Sequence, residues 1–408
     1  MNTIDNLTGL KDKKVLVRVD FNVPLKGTEV RDDNRVVQAL PTIKKLLSEG
    51  AALVLMSHLG KIKWGKVDDE EIAKQKAKNN MEYVLPCLKG HLPGVNVYFS
   101  NATSGEELEK AIKALKGGEV LLVQNTRYEK GESKNNVDLA KDWAKNVDAF
   151  VMDAFGSAHR AHASTYGVPE ILKAEGKPVV LGYLMEKEVN NLGACVRGDK
   201  HPYVAILAGF KVSDKIKVID SLLRKCDKIL IGGAMCFTFY KALGMNTGAS
   251  PVEDDQLEYA RKCYASGKIV LPIDTKVADD FDHPTVIKCV DTDIGIANEC
   301  IPDGYNGMDV GPKTVAKFGD IIRRADLIFW NGPLGVFEKP EFQDGTIGVC
   351  KAIANNDDAF SVIGGGDSAA AAKEFGYADK FSHVSTGGGA SLEMIENDGH
   401  LPGIDIIG

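Results

Sequence analysis

Three features of the sequence predict an α/β fold with two lobes, each built on a parallel sheet, joined by a helical linker. Short apolar runs alternate with longer amphipathic or alanine-rich segments, which is typical of β-α units around a buried parallel sheet. The alternation occurs in both halves of the chain, with polar strand endings first and glycine-rich endings later. A length of 408 residues is too great for one ordinary core, so we expect two domains.

The strand-like runs of the first half all end in polar residues. They are KVLVRVDFNVP (14–24), ALVLMSHLG (52–60), EVLLVQNTR (119–127) and AFVMDAFG (149–156). Ligands bind beyond the carboxyl ends of the strands in an open parallel sheet. We therefore expect one polar, partly cationic site that contains Asp20, Asn22, His58, Arg127 and Asp153.

The strand-like runs of the second half end in glycine. They are VAILAGFK (204–211), KILIGGAM (228–235), LIFWNGP (327–333), FSVIGGG (360–366) and HVSTGGG (383–389). Glycine allows a ligand to approach the backbone closely, and the amides at the start of a following helix then face an anion. This half should therefore carry a second, different crevice.

The segment between the two series of strands has helical character and no strand pattern. It covers residues 184–198, so the predicted domains are 1–183 and 199–389. The last segment, 390–408, begins as a helix and ends apolar, and we expect it to pack back toward the N-terminal lobe.

Composition and charge exclude several classes of function. The chain has 57 acidic and 50 basic residues and a net charge of −7, which gives no overall electrostatic reason to bind nucleic acid or an anionic membrane. Its apolar runs are too short to span a bilayer. The eight cysteines include no C-x-x-C pair, so the sequence suggests neither a zinc site nor a disulfide framework. We expect reduced thiols and a cytoplasmic location.

The run Gly364-Gly365-Gly366-Asp367-Ser368 lies between an apolar strand and an alanine-rich helix. Small residues expose successive amides at the helix N-terminus, where the helix dipole favours phosphate, and Asp367 can hold a divalent cation on that phosphate. The alternative is a tight turn capped by Asp or Ser.

Basic residues near the strand ends indicate anion binding. Lys211 and Lys215 are four residues apart and point the same way if the helix after the strand starts early. Arg35, Arg127 and Arg160 would form an anion clamp if they meet in space, because a guanidinium binds phosphate or carboxylate bidentately. Ordinary surface lysines and arginines are the alternative for both groups.

Nine segments resemble the phosphoglycerate kinase family in order and approximate spacing. They are VLVRVDFNVPL, DDNRVVQALPTI, SHLG, DAFGSAHRAHAST, KVSDKI, GPKT, WNGPLGVFE, GGGDS and STGGGAS. The resemblance covers nearly the whole chain and implies two Rossmann-like lobes that close about a hinge. It implies a phosphotransferase with a carboxyl group as acceptor, which transfers a phosphoryl group between 1,3-bisphosphoglycerate and ADP to give 3-phosphoglycerate and ATP. We expect a monomer.

The resemblance also implies roles for individual residues. The N-terminal domain would bind 3-phosphoglycerate, and the residues that match the family's substrate site are Asp20, Asn22, Arg35, His58, Lys61, Arg127 and Arg160. The C-terminal domain would bind ATP or ADP with Mg²⁺. The residues that match this nucleotide site are Gly209, Phe210, Lys215, Gly232, Gly233, Asn331, Pro333, Glu338, Gly364, Gly365, Gly366, Asp367 and Ser368. Asp367 would be the magnesium ligand, and Arg35, Lys211, Lys215 and Gly366 would act at the reaction centre.

The sequence departs from the family pattern at four positions, which are Lys61, Gln124, Ala208 and Phe210. Phe210 replaces a small residue against the expected adenine pocket. Two other functions are considered. A catalytically silent nucleotide-sensing protein should have lost a reaction-centre residue, whereas Arg35, Lys215 and Asp367 are present. A nicotinamide-dependent oxidoreductase should carry a G-x-G-x-x-G turn between a strand and a helix, and the sequence contains none there.

Overall fold

The structure is a computed structural model that describes residues 1–296 and 300–408. The chain forms two compact units: unit 1 comprises residues 1–189 and 400–408, and unit 2 comprises residues 190–399. The helix predicted over 184–198 runs over Tyr183–Arg197 and contains the boundary between the units. Residues 390–399 belong to unit 2, and the last nine residues belong to unit 1.

Unit 1 is built on a parallel sheet. Its strands are β1 Lys14–Val19, β2 Leu25–Lys26, β3 Glu29–Val30, β4 Ala52–Met56, β5 Val97–Ser100, β6 Val120–Val123, β7 Ala149–Asp153 and β8 Val179–Leu181. Six of them pair in parallel in the order β5-β6-β4-β1-β7-β8, while β2 and β3 form a short antiparallel hairpin.

Helices alternate with these strands and cover the sheet. They are α1 Asn34–Ser48, α2 Asp69–Lys78, α3 Leu85–His91, α4 Gly105–Ala114, α5 Val137–Ala144, α6 Val168–Ala174 and α7 Tyr183–Arg197. Every residue of β4 and β7 is buried, as expected for a parallel sheet with both faces covered. One face of this sheet packs on a large apolar core to which α1 contributes Val36, Ile43 and Leu46.

Unit 2 has a second parallel sheet and a smaller antiparallel one. Its strands are β9 Tyr203–Ala208, β10 Lys228–Gly232, β11 Ile269–Val270, β12 Asp274–Ala278, β13 Ile287–Asp291, β14 Asn306–Val310, β15 Leu327–Asn331, β16 Phe360–Ile363 and β17 His383–Val384. The parallel sheet has the order β11-β10-β9-β15-β16-β17, and the antiparallel sheet has the order β13-β12-β14. A bulge interrupts the β12-β14 pairing between Lys276 and Val277.

The helices of unit 2 include two that begin at glycine beside the parallel sheet, α13 and α14. The helices of the chain after α7 are α8 Ile216–Lys225, α9 Met235–Ala242, α10 Leu257–Ala265, α11 Pro312–Arg323, α12 Asp344–Ala354, α13 Gly366–Glu374, α14 Gly389–Glu396 and α15 Pro402–Asp405. Of these, α15 lies in unit 1. None of the helices formed by the described residues has the length and apolar character that crossing a bilayer requires.

The α/β class and the parallel sheets predicted from the sequence are confirmed. The strands are shorter than predicted, because their polar endings form loops. β1 ends at Val19, and the next side chain, Asp20, accepts a hydrogen bond from the backbone N–H of Asn22 at 3.1 Å. The sequence analysis did not identify β5, β8, β11, the β2-β3 hairpin or the three-stranded antiparallel sheet.

Asp153 lies at the end of β7 but caps a helix instead of joining the polar site. It is fully buried, and its Oδ1 accepts hydrogen bonds from the backbone N–H groups of Leu184 and Met185 at 3.1 and 3.3 Å, in the first turn of α7. Burial raises the pKa of this carboxyl to about 7, although these bonds and Thr42 oppose the shift. The prediction that Asp153 faces the ligand site is therefore wrong.

Asp153 should make the stability of unit 1 depend on pH. Its folded pKa, about 7, is above the unfolded value of about 3.9. The folded state therefore binds the extra proton, and this stabilisation is lost as pH rises from about 4 to about 7. The Asp153→Asn variant cannot ionise. Relative to it, we expect the parent to lose up to about 1.4 kcal/mol of unfolding free energy per pH unit in this interval.

Denaturant unfolding of both proteins across this pH range measures the difference. Asp148→Asn is the control, since Asp148 is an exposed aspartate of the same unit that accepts the backbone N–H of Lys14 at 2.9 Å. A stability difference between Asp153→Asn and the parent that stays constant with pH would contradict the assignment.

Candidate functional sites

The first site lies at the carboxyl edge of the unit 1 sheet, where loops after β1 and β4 meet the start of α1. Arg35, in the first turn of α1, donates from Nη1 to both oxygens of Asp20 at 3.0 and 3.2 Å and to the carbonyl of Asn22 at 3.1 Å. The Asn22 side chain accepts the backbone N–H of Gly60 at 2.8 Å. The structure therefore brings Asp20, Asn22 and Arg35 together and ties them to the loop after β4.

His58 follows β4 and is held by a buried arginine. Nη2 of Arg18 lies 3.0 Å from Nδ1 of His58. Since a guanidinium can only donate, Nδ1 accepts and the imidazole proton is on Nε2. Burial, then Arg18 and the other nearby arginines, hold the pKa of His58 well below its usual range. His58 is therefore a neutral imidazole that can donate one hydrogen bond to an anion.

Arg18 itself was not predicted as a site residue. It lies in the central strand β1 and is fully buried, and its Nε donates to Ser164 Oγ at 2.8 Å. Glu132, also buried, accepts both the hydroxyl and the backbone N–H of Ser164 at 2.8 Å. A charged residue inside the apolar run KVLVRV was the only sequence signal for this network.

Arg127 follows β6 and reaches the same loop as Asn22. Its Nη1 donates to the carbonyl of Gly60 at 2.7 Å, and its backbone N–H donates to Asn125 Oδ1 at 3.0 Å. Its Nε is buried and has no hydrogen-bond partner among the described residues. Burial lowers the pKa of Arg127, and the neighbouring charge of Arg160 adds to this effect. A partly buried guanidinium with an unused donor is suited to binding an anion.

Gln124, one of the departures from the family pattern, is a buried hub behind Arg127. Its Oε1 accepts the backbone N–H groups of Met81 and Asn125 at 2.8 and 3.0 Å. Its Nε2 donates to the side-chain oxygens of Asn80 and Asn101 at 2.8 and 3.1 Å. The amide thus has both donors and its acceptor satisfied, and it fixes the loop that carries Arg127.

The other predicted residues of this site are more exposed. Lys61 lies on the loop after Gly60 with its side chain in solvent, and Arg160 is exposed on the turn before His162. Burial lowers the pKa of His162 to about 4, and Arg18, Arg127 and Arg160 contribute to this shift. Arg35 and Arg127 both lower the pKa of His58, and Arg160 lowers the pKa of Arg127, so the three arginines lie in the same region of unit 1. Their joint binding of one anion stays a prediction.

The second site is a cleft at the carboxyl edge of the unit 2 sheet. It lies where the loops after β9, β15 and β16 meet the starts of α13 and α14. Its lining residues are Ala208, Gly209, Lys215, Asn331, Gly332, Pro333, Gly365, Gly366, Asp367, Ser368, Gly388, Gly389 and Leu392. Of these, the sequence analysis did not predict Ala208, Gly332, Gly388, Gly389 or Leu392 as binding residues, although the STGGGAS segment contained the glycines of α14.

Lys215 and Asn331 form the polar wall of this cleft. The ammonium group of Lys215 donates to Asn331 Oδ1, and Nδ2 of Asn331 donates to the carbonyl of Gly364. Burial lowers the pKa of Lys215 to about 8, while the carboxylates of Asp214 and Asp367 oppose the shift. A desolvated cation next to the glycine turn will gain strongly from a phosphate.

The triglycine turn leads directly into α13, and both line the cleft. The helix begins at Gly366, so the amides of its first turn have no intrahelical acceptor. Ser368 Oγ accepts the backbone N–H of Gly332 at 3.3 Å and lies 3.4 Å from the carbonyl of Gly365. The loop after β15 is thereby joined to the start of α13, and the first three residues of that helix, Gly366, Asp367 and Ser368, line the cleft.

Gly232 and Gly233 lie next to the strand end and loop that carry Gly209, which lines the cleft. A Cβ at Gly233, where φ is +69°, would lie 2.7 Å from the carbonyl oxygen of Gly209. Pro333 is part of the lining. Phe210 is 65% exposed, and neither it nor the exposed Glu338 is among the lining residues of the cleft. Their predicted contacts with adenine and ribose stay predictions.

Lys211 is exposed and does not share a helical face with Lys215. A short turn covers Ser213–Lys215, and α8 begins only at Ile216. The early helix start on which their alignment depended is therefore absent, because residues 209–212 form a loop that lets the Lys215 stem lie across Gly209. Lys211 is not among the lining residues.

Unit 1 has a cluster of cationic groups and unit 2 has a separate helix N-terminus that can hold an anion, and this combination suits a small-molecule kinase. The model of the family described as phosphoglycerate kinase matches residues 4–398. The chain belongs to the phosphoglycerate kinase family, and it is accordingly a phosphotransferase of glycolysis.

Individual relatives and solved structures agree with this family. Phosphoglycerate kinase from Fusobacterium nucleatum is 52% identical over 404 residues, covering 98% of this chain and 97% of that protein. The Staphylococcus aureus enzyme of the same name is 50% identical with the same coverage. The structure of phosphoglycerate kinase from Coxiella burnetii has a TM-score of 0.85 at 35% identity, covering 99% of this chain and 98% of that one. That from Pyrococcus horikoshii has a TM-score of 0.81 at 31% identity, with coverage of 100% and 98%.

Gly365 should be irreplaceable in the cleft. Its φ is +142°, and a Cβ there would lie 2.4 Å from Nδ2 of Asn331, which orients Lys215. Backbone strain of this kind is of order 1–3 kcal/mol. We expect Gly365→Ala to weaken ADP binding about tenfold or more, measured by isothermal titration calorimetry.

Gly376→Ala is the matched control, since Gly376 also has a positive φ, of +80°, but a Cβ there meets nothing within 4 Å. It should lower stability without changing ADP affinity. Equal ADP affinities in the two variants would show that the Gly365 position does not matter for the cleft.

Proposed function

We propose that this chain catalyses the reversible transfer of a phosphoryl group between 1,3-bisphosphoglycerate and ADP, giving 3-phosphoglycerate and ATP. The observation that carries the proposal is the unit 2 cleft, which is lined both by the partly buried Lys215 and by the first residues of α13. Family membership over residues 4–398 supports the same reaction. The reading as a catalytically silent nucleotide sensor is not favoured, because relatives that cover almost the whole chain carry the name of the enzyme.

Unit 1 is the proposed site of the triose acid. 3-Phosphoglycerate has an anionic group at each end, and the site offers several donors of different kinds. Arg127 has a free Nε, His58 offers a neutral N–H, and Arg160 adds an exposed guanidinium. Arg35, held by Asp20 and Asn22, is the proposed cation nearest the reacting carboxyl, and Lys61 adds long-range charge.

Unit 2 is the proposed site of the nucleotide. The amides of Gly366, Asp367 and Ser368 are expected to hold phosphate oxygens, because helix N-termini stabilise anions through free N–H groups and the helix dipole. Family resemblance assigns Gly209, Gly232, Gly233 and Pro333 to the base, and it assigns Phe210 and Glu338 to the base and the ribose.

The cleft also suits magnesium bound to the nucleotide phosphates. Asp367 is an exposed carboxylate in the first turn of α13, and the lining contains no sulfur or imidazole ligand. Magnesium is usually held by one or two carboxylates together with phosphates and water. When bound, the ion neutralises charge on the phosphate oxygens.

The reaction needs no covalent nucleophile, because the carboxylate of 3-phosphoglycerate and the terminal oxygen of ADP are themselves the acceptors. The protein must align them and stabilise the charge on the moving group. Lys215 is proposed to stay in contact with the transferred phosphoryl group throughout the reaction. Arg35 and the backbone amide of Gly366 are proposed to bind the other oxygens of that group. Lys211, exposed in this structure, is assigned a supporting charge at the reaction centre. Closure of the two lobes stays a prediction.

Lys215 should act mainly on the transition state. The loss of one preorganised donor to developing charge costs about 3 to 4 kcal/mol, or about 10²–10³ in rate. We therefore expect Lys215→Ala to lower kcat by about that factor in a coupled assay with 3-phosphoglycerate and Mg-ATP. Lys217→Ala is the control, since this exposed lysine of α8 is not among the lining residues of the cleft. A rise in KM for ATP with kcat nearly unchanged would refute the assigned role.

The two ligands should be separable by mutation. A hydrogen bond to a charged group contributes about 1.5–3 kcal/mol, which corresponds to about tenfold or more in affinity. Calorimetric titration of Arg160→Ala should show weaker 3-phosphoglycerate binding and unchanged ADP binding, whereas Glu338→Ala should show the reverse. The opposite pairing would overturn the assignment of ligands to units.

We also propose that the protein acts in the cytoplasm as a monomer and uses neither nucleic acid nor membrane as a partner. Its membership of a glycolytic enzyme family and its net charge of −7 support this view. Sedimentation of the purified chain measures its oligomeric state.

A further inference from the structure

Unit 1 contains a cluster of three potential metal ligands that the proposed reaction does not use. An oxygen of Asp33, the thiol sulfur of Cys87 and a ring nitrogen of His91 all lie within 4.8 Å of one another. Among residues 1–296 and 300–408, no other set of three His, Cys, Asp or Glu side chains has its ligand atoms this close together. Cys87 and His91 are four residues apart on α3, so they share one face of the helix, and Asp33 directly precedes α1.

The carboxylate of Asp33 contacts His91 of this cluster instead of capping the helix that follows it. Asp33 occupies the N-cap position of α1, where an aspartate commonly accepts a backbone N–H, but its side chain makes no such cap bond. Its Oδ2 lies instead 2.8 Å from Nε2 of His91. The Asp33 side chain is 51% exposed and that of His91 is 30% exposed, so an ion from solvent can reach both.

The chemistry of the three ligands selects a particular class of ion. A thiolate, an imidazole and a carboxylate are all ligands that zinc binds, whereas magnesium prefers oxygen ligands alone. We propose that Asp33, Cys87 and His91 form a binding site for Zn²⁺ or a similar thiophilic divalent cation, with water as the fourth ligand. This site is distinct from the magnesium ligand proposed at Asp367.

The distances fit a tetrahedral ion after small side-chain rotations. With Zn–N and Zn–O bonds of about 2.0–2.1 Å and a Zn–S bond of about 2.3 Å, tetrahedral angles place the ligand atoms about 3.3–3.6 Å apart. A pair of ligand atoms as far apart as 4.8 Å must approach by about 1.2 Å, and the contact of 2.8 Å must lengthen by about 0.5 Å, which rotations of these partly exposed side chains can supply. On binding, the thiol of Cys87 loses its proton to solvent and the sulfur ligates as thiolate.

Cobalt titration of the metal-free full-length protein tests the site. Co²⁺ replaces Zn²⁺ in such sites, and a thiolate ligand gives a sulfur-to-cobalt charge-transfer band in the near ultraviolet. We expect this band to saturate at one equivalent, to disappear on addition of Zn²⁺ and to persist in excess Mg²⁺. Displacement by Mg²⁺, or a band that never saturates, would overturn the proposal.

Variants identify the ligands. Loss of residues that merely orient a metal ligand costs about 10–100-fold in affinity, so loss of a direct ligand should cost at least about tenfold. Cys87→Ser should abolish the band, and the surface variant His91→Gln should weaken Zn²⁺ binding by that factor in competition with a chromophoric chelator. Cys289→Ala is the control, because Cys289 is an exposed thiol of unit 2 and its loss should leave the band intact. Unchanged binding in His91→Gln, or loss of the band in Cys289→Ala, would refute the assignment.

Discussion

Both functional sites depend on one constraint, which is that all strands of a parallel sheet end at the same edge. In unit 1 the residues after β1, β4 and β6 include Asp20, His58 and Arg127, which this edge brings together. In unit 2 the residues at the ends of β15 and β16 include Asn331 and Gly364, which bond to each other directly. Most polar groups of the two sites lie in the loops that follow the strands, while Arg18 and Asn331 lie within β1 and β15 themselves.

Each site contains a positive charge that is shielded from solvent, but the two charges have different neighbours and different roles. Arg18 is fully enclosed in unit 1 and is satisfied by Ser164 and His58, so it serves the site by fixing the imidazole and not by meeting a ligand. Lys215 in unit 2 has the amide oxygen of Asn331 as its neighbour, and burial has already lowered its pKa to about 8. Because this neighbour is a neutral amide and a pKa of about 8 leaves the ammonium group mostly protonated near pH 7, its charge is available to a phosphate.

The sequence was sufficient to predict the class of fold, the parallel sheets and the candidate residues that lie at strand ends. Those residues could be predicted because a glycine, arginine or histidine directly after an apolar run must lie at the end of a strand. Arg18 and Glu132 could not be predicted in the same way, since their partners are far away in the chain. Asp33 and Cys87 likewise become neighbours only when α1 and α3 pack together. The antiparallel sheet was missed because its strand β13 is largely exposed and carries no apolar alternation.

The hydrogen bonds of Gln124 limit which residues can replace it in evolution. A glutamate at that position would turn a carboxylate oxygen toward the side-chain oxygen of Asn80, and that oxygen also accepts the backbone N–H of Glu82 at 3.0 Å. Rotating the Asn80 amide to offer its N–H would release this second bond, so neither position can change without cost to the other. Evolutionary replacement at position 124 is therefore expected to be epistatic with position 80. In relatives of this chain, the two identities should covary as a pair even though 43 residues of sequence lie between them.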